Sequence, residues 1–273
     1  MANYFYNNTS HSPLPQTGWG VCEDSIIRLM IPSEIPPVTP DSRSLLPNEL
    51  LRPNEFIFEP AVLARIRAWA EGKRILVVDY NGVLAGEDDE ADIINPQAQE
   101  TLVRLRDLGY TLVLWTARSR NETDGTLTAN YLAEYFPLRI YRENYRILNS
   151  NQREMYNAAK TVTPWLDQDE KKHDSLEIKP IPLLLHEAGI IDDAIKEDYF
   201  QSVLRPVTNL RYPCFNISRF APRYIQETQE DLQTDATLER KFANYMSQLF
   251  GPHRIDEIVA KFPPPPDIPP PIL

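Results

Sequence analysis

The run Ile75-Leu-Val-Val78 constrains this chain more than any other stretch, because four consecutive apolar side chains are followed at once by a carboxylate, Asp79. A strand with one face in water alternates apolar and polar residues. This run does not, so it predicts a strand covered on both faces, as in a parallel α/β sheet lying between layers of helices. Asn81-Gly82 follows and lets the chain turn away sharply. Ligands of open parallel sheets bind beyond the carboxyl ends of the strands, where Asp79 stands. Taken alone, Asp-x-Asn-Gly also fits a plain turn in which the carboxylate closes backbone N–H groups.

Two more apolar runs end in chemically capable residues. Tyr110-Thr-Leu-Val-Leu-Trp-Thr-Ala117 delivers the hydroxyl of Thr116, and Gly189-Ile-Ile-Asp-Asp-Ala194 delivers Asp192 and Asp193. Helices are predicted between the strands. Pro60 opens one, with Val62, Ile66 and Trp69 on one face and Gly72 as its stop. Asn95-Pro96 reads as the N-cap and first-turn pair of a second, running through Leu102, Leu105 and Leu108 to Gly109. That helix returns the chain to a parallel strand by a right-handed crossover. Ala117 to Asn121 open a third, directed towards Tyr135 and Phe136. Free N–H groups at such a start favour an anion, with the Thr116 hydroxyl as an extra donor and Arg118 and Arg120 as charge. Residues 138–145 read as a further strand. A late helix carries Leu238, Phe242, Tyr245, Met246 and Leu249, expected in the core.

Composition narrows the partners. The 273 residues are 42% apolar, enough for an ordinary core. A net charge of −11 argues against direct nucleic-acid contact, which needs clustered Lys and Arg, and favours a basic substrate segment or cationic partner. Cys22 and Cys214 form neither a disulfide framework nor a metal-ligand spacing, which points to a reducing cytoplasm or nucleus. No apolar run approaches the ~20 residues that span a bilayer, and the start resembles no leader peptide, so a soluble protein without membrane contact is expected. Scattered prolines mark residues 1–59 as an extended, protease-sensitive N-terminal extension before a domain at 60–252. Residues 253–273 form a C-terminal segment whose Pro-rich tail has the composition of a polyproline II ligand for an aromatic groove. The acidic stretch Gly86 to Asp92 reads as a solvated loop, and so does the run around Lys171, Lys172 and His173.

Asp at one strand end, Thr at the next and Asp-Asp at a third resemble the haloacid-dehalogenase superfamily from about Ile75 to Phe215. Within it, Tyr141-Arg142-Glu143-x-Tyr145 after an apolar strand is similar to the Arg-Glu-x-Cys segment of the C-terminal-domain phosphatases of RNA polymerase II, the NLI-interacting-factor-like family. Tyr145 stands where that family has Cys. Tyr199-Phe200 and Asn209-Leu-Arg-Tyr-Pro-Cys-Phe215 follow the family's order. The resemblance implies a three-layer Rossmann-like sheet with a small flap after the first strand, the acidic stretch being that flap. It implies a Mg²⁺-dependent phosphatase acting on phosphoserine or phosphothreonine in a phosphoprotein or phosphopeptide. Asp79 would be the nucleophile, giving an aspartyl-phosphate. Mg²⁺ would be held by Asp79, the carbonyl of Asn81, Asp192 and Asp193, and phosphate by Thr116, Ala117, Arg118 and Lys179, with Lys160 as second candidate for the lysine. Two departures matter. Asn81 replaces the family's acid–base Asp, and Val83 replaces its usual Thr. A carboxamide exchanges no proton at neutral pH, and losing a positioned acid costs ~10²–10⁴ in rate. Two functions follow: a slow or substrate-restricted phosphatase, and a catalytically silent module that binds a partner through the old cleft and its Pro-rich ends.

Overall fold

A computed structural model of the chain describes residues 50–161, 185, 188–193, 213–232 and 235–266. Its centre is a five-stranded sheet in which every neighbouring pair runs parallel: β1 (Ile75–Val78), β2 (Thr111–Trp115), β3 (Leu138–Ile140), β4 (Gly189–Asp192) and β5 (Cys214–Asn216), in the order β3-β2-β1-β4-β5. All of β1 and β4 is buried, as the unbroken apolar runs require. Val78 pairs with Leu114 on one side and Ile191 on the other. From β1 the chain winds outward through β2 to β3, then crosses back to lay β4 on the opposite flank. The connections therefore leave β1 and β4 in opposite directions, and their carboxyl ends are the place where open parallel sheets bind ligands.

Alternation along β1 divides the core into two layers. Ile75 and Val77 join Val113, Trp115 and Ile190 against helix α1 (Pro60–Ala70), through Val62, Ile66 and Trp69. Leu76 and Val78 join Leu112, Leu114 and Ile191 against helix α2 (Ala98–Asp107), through Ala98, Leu102 and Leu105. Burying each such aliphatic side chain contributes about 1.5–3 kcal/mol. Helix α1 has Pro60 at its start and stops before Gly72, whose φ of 72° is left-handed. Helix α2 starts at Ala98, two residues beyond Pro96, and Asn95 is not its N-cap. Asn95 is buried instead; its Oδ1 accepts from Gln97 N at 3.0 Å, and its Nδ2 donates to the carbonyls of Val83 and Phe250, the latter at 2.8 Å. The same polar side chain thus ties the turn after β1 to a segment 155 residues away.

Four further expectations change. The strand read over 138–145 ends at Ile140, and Arg142–Tyr145 form a single helical turn, α4. Asn144 explains the break: its Oδ1 accepts from Tyr141 N, while its Nδ2 donates to the carbonyls of Arg52, Pro53 and Glu55. Packing also begins earlier than Pro60, since Leu50, Leu51, Phe56, Ile57 and Phe58 are buried in the α1 layer. Leu50 is helical and residues 51–59 make bends and turns, too short a stretch for a period to show. At the other end, helix α8 (Ile255–Lys261) buries Ile255 and Ile258, and Phe262 is buried just after it. Tyr110 Oη donates to Phe262 O, and the Arg74 guanidinium lies 3.6 Å from the Phe262 ring centre, so the packed region passes 252. Finally, helix α7 (Ala236–Gln248) holds no fully buried residue. Leu238, Phe242, Tyr245 and Met246 are half-buried beside helix α6 (Pro222–Asp231), and of the expected set only Leu249 is core. The remaining helices are α3 (Arg120–Ala129) and α5 (Ser150–Thr161). Among the described residues no helix is long and apolar enough to cross a membrane. Most of the Pro-rich extension, the tail from residue 267, the Lys171–His173 run and Tyr199–Leu210 lie outside the described residues.

Candidate functional site

Asp79 follows β1 directly, and its N–H donates to Ile191 O at 3.0 Å, so the backbone of β4 fixes where the carboxylate emerges. Its Oδ1 accepts from Tyr80 N at 2.7 Å. Asp192 is the buried last residue of β4 and Asp193 comes next, with a side chain only 3% exposed. Ligand oxygens of Asp79, Asp192 and Asp193 all lie within 4.8 Å of one another. Three carboxylates so close repel unless positive charge or donors compensate. Part of that compensation comes from Arg219, beyond β5, whose Nε donates to Asp193 Oδ2 at 2.7 Å and whose Nη1 lies 2.7 Å from Glu87 Oε2. The bond to Asp193 pushes the Arg219 pKa above its ordinary value. An all-oxygen, anionic donor set of this kind fits a hard divalent cation, so these residues could hold one.

The turn after β1 is built for close approach. Gly82 has φ 66°, and a Cβ there would come 2.5 Å from Asp193 Oδ2. Its carbonyl accepts from Phe220 N at 2.8 Å, while Val83, Leu84 and Ala85 are wholly buried. Asn81, half-buried on this turn, accepts at Oδ1 from Arg118 Nε at 2.8 Å. A guanidinium only donates, so the carboxamide must turn its oxygen to Arg118. Arg118 Nη2 also donates to Asp88 O at 3.1 Å.

That second bond reaches the acidic stretch, which is anchored. Glu87 is held by Arg219 and Asp88 O by Arg118, while Asp92 Oδ1 accepts from Thr126 Oγ1 at 2.8 Å. Residues Asp88–Glu90 form a 3₁₀ turn entered at Asp88 with φ 43°. Burial pushes the Glu87 carboxyl up from its ordinary value, against the pull of Arg219. Below the stretch, Tyr80 is fully buried and its Oη donates to Ala91 O at 2.7 Å; burial raises its pKa too.

Thr116 is fully buried at the end of β2, with its N–H on Ile140 O and its Oγ1 accepting from Arg118 N at 3.1 Å. Ala117 lies between these two residues on the same loop. Helix α3 starts at Arg120 behind Ser119, in a capping box with Glu122. The N–H groups at this start are largely taken: Arg118 N by Thr116, Ser119 N by Glu122, and Arg120 N by Glu143 at 3.2 Å. The expected row of free anion donors is therefore absent at these three residues. Arg120 stacks on Tyr141 and pairs with Asp124 at 3.7 Å. Asp79, Asn81, Thr116, Arg118, Asp192 and Asp193 are thus brought to one end of the sheet. Lys179 lies outside the described residues, and Lys160 falls in the last turn of α5. Sequence reading missed Arg219, 26 residues beyond its carboxylate partner, where an isolated arginine in a loop gives no signal.

No family model matches this chain, and no solved structure matches it. A segment of 77 residues, 28% of the chain, is 35% identical to the "Uncharacterized 36.0 kDa protein" of Orgyia pseudotsugata multicapsid polyhedrosis virus. The match spans 24% of that protein's length.

Proposed function

We propose that this chain is a Mg²⁺-dependent, aspartate-nucleophile phosphatase of the haloacid-dehalogenase type, directed to phosphoserine or phosphothreonine in proteins and slowed by Asn81. The observation that carries the reading is the convergence of Asp79, Asp192 and Asp193 within 4.8 Å at the ends of β1 and β4. In this reading an Asp79 oxygen forms a bond to phosphorus as the bond to the leaving oxygen breaks; water then cleaves the aspartyl-phosphate. Thr116 Oγ1 accepts from the Arg118 N–H, which leaves the hydroxyl hydrogen to donate to a phosphoryl oxygen. Asp79, Asp192, Asp193 and the Asn81 carbonyl would hold Mg²⁺, which when bound offsets the charge of the phosphoryl group. Residue 81 has no proton to give, so the leaving oxygen departs with its electron pair and takes its proton from water. Aryl phosphates tolerate this better than alkyl ones.

Hydrolysis of p-nitrophenyl phosphate by the full chain, with and without Mg²⁺, tests the proposal. Mg²⁺-dependent turnover that Asp79→Asn eliminates is expected, and turnover on phosphoserine peptide should be slower. A second reading, a silent phosphatase-like module that binds a partner, draws on the Arg118–Asn81 bond, which engages residue 81 without a proton relay. Folded wild-type protein with no turnover in Mg²⁺ would favour that module.

A further inference from the structure

We infer that Arg118 is a positioning residue: it orients the Asn81 carboxamide so that both Nδ2–H donors face a bound ligand. If the phosphatase reading holds, that ligand atom is the leaving oxygen, which receives a hydrogen bond in place of a proton. A carboxamide is nearly symmetric in shape, so an unconstrained one presents either its oxygen or its nitrogen. The Arg118 guanidinium breaks that symmetry. Its Nε sits 2.8 Å from Asn81 Oδ1, and a flipped amide would set N–H against N–H and lose a charge-assisted bond. The guanidinium is itself held, since Nη2 donates to Asp88 O and the residue's backbone N–H donates to Thr116 Oγ1. Arg118 therefore links three segments: the turn after β1, the loop after β2 and the anchored acidic stretch. The Nδ2 group, two residues from Asp79, is what the side chain has left to offer. A fixed N–H donor stabilises an oxygen that gains charge without any proton changing hands. As the bond from Asp79 to phosphorus forms, the leaving oxygen accepts the electron pair of the broken bond, is stabilised by Nδ2–H, and is protonated by solvent.

The test is a double-mutant cycle on phosphoserine-peptide turnover, where the leaving alkoxide needs the donor most, with kcat and KM measured separately for wild type, Arg118→Gln, Asn81→Ala and the double variant in Mg²⁺. Asn81→Ala should lower kcat ~10²-fold, in the range for losing one preorganised donor. Arg118→Gln should lower kcat ~10-fold in the wild-type background, because a misdirected donor loses much of its effect. It should do almost nothing in the Asn81→Ala background, and Arg118→Lys should not rescue, since an ammonium lacks the planar fork. Equal losses in both backgrounds, or a change in KM alone, would overturn the inference and make Arg118 a direct substrate contact. A second readout does not depend on catalysis. The Asn81 side-chain NH₂ signal, assigned by its disappearance in Asn81→Ala, should be rigid by ¹⁵N relaxation in wild type. Its order parameter should fall below about 0.6 in Arg118→Gln. An inactive wild type that shows this fall sinks the phosphatase reading and upholds the positioning; no fall overturns the positioning, whatever the activity.

Discussion

Two glycines with similar backbones separate strain from crowding at the residue scale. Gly72 and Gly82 have φ of 72° and 66°, but a Cβ on Gly72 meets nothing within 4 Å, whereas one on Gly82 meets Asp193 Oδ2 at 2.5 Å. Gly72→Ala should cost the left-handed strain alone, roughly 1–2 kcal/mol by denaturant unfolding. Gly82→Ala should cost more and displace Asp193; equal losses would show that Asp193 gives way freely. The arginine beside that carboxylate yields another prediction. Mg²⁺ should raise the melting temperature by mass action, and Asp192→Ala should abolish the rise. Because Arg219 Nε occupies Asp193 Oδ2, Arg219→Gln should enlarge the rise at a given Mg²⁺ concentration. A smaller rise would mean that Arg219 orients Asp193 for the ion and does not compete with it. Asn81→Asp can also be foreseen. The new carboxylate would face the Arg118 guanidinium, and pairing of that kind favours the ionised carboxylate. It would then stay ionised, and the gain in phosphoserine turnover should fall short of the ~10²–10⁴ of a free general acid.

At the scale of elements, the acidic stretch after β1 behaves as a strapped segment. Negative charge usually marks a solvated loop, and here Arg118 and Arg219 hold it from two different strand ends. Arg219→Ala should therefore speed amide hydrogen exchange at Glu90, Ala91 and Ile93 relative to the β1 amides, by about tenfold or more, since local openings follow local contacts. Unchanged exchange would mean that the 3₁₀ turn is self-sufficient. Helix α1 was legible from its period and its opening proline, and helix α2 from its period, because each buries one stripe against the sheet. The Asn95-Pro96 pair misplaced the start of α2, which lies at Ala98. The turn at Arg142–Tyr145 was not. Its residues suit a strand locally, and Asn144 overrides that preference with bonds to the 52–55 carbonyls, which no window around residue 144 contains.

For the whole molecule, the segment before Pro60 decides where the folding unit starts. Leu50, Phe56, Ile57 and Phe58 are buried, with Phe58 edge-on to Phe56 at 5.3 Å and to Tyr156 at 5.1 Å. At about 1.5–3 kcal/mol for each buried side chain, their removal takes away an amount comparable to the ~5–15 kcal/mol stability of a typical domain. A chain begun at Pro60 should fail to unfold cooperatively, and Phe58→Ala should cost ~3–5 kcal/mol. A sharp two-state transition in the truncated chain would refute this. By itself the sequence determined the parallel sheet, because four unbroken apolar residues need cover on both faces, and it determined the candidate carboxylates, because each sits where such a strand must stop. Only the tertiary structure decided what surrounds them. The order β3-β2-β1-β4-β5 brings the loop after β2 to one side of the turn after β1 and the loop after β5 to the other. Arg118 thereby meets Asn81 and Arg219 meets Asp193. Hydrophobic periodicity is local and can be read along the chain. Pairing between loops separated by 26 to 37 residues depends on which strands become neighbours, which no local pattern carries.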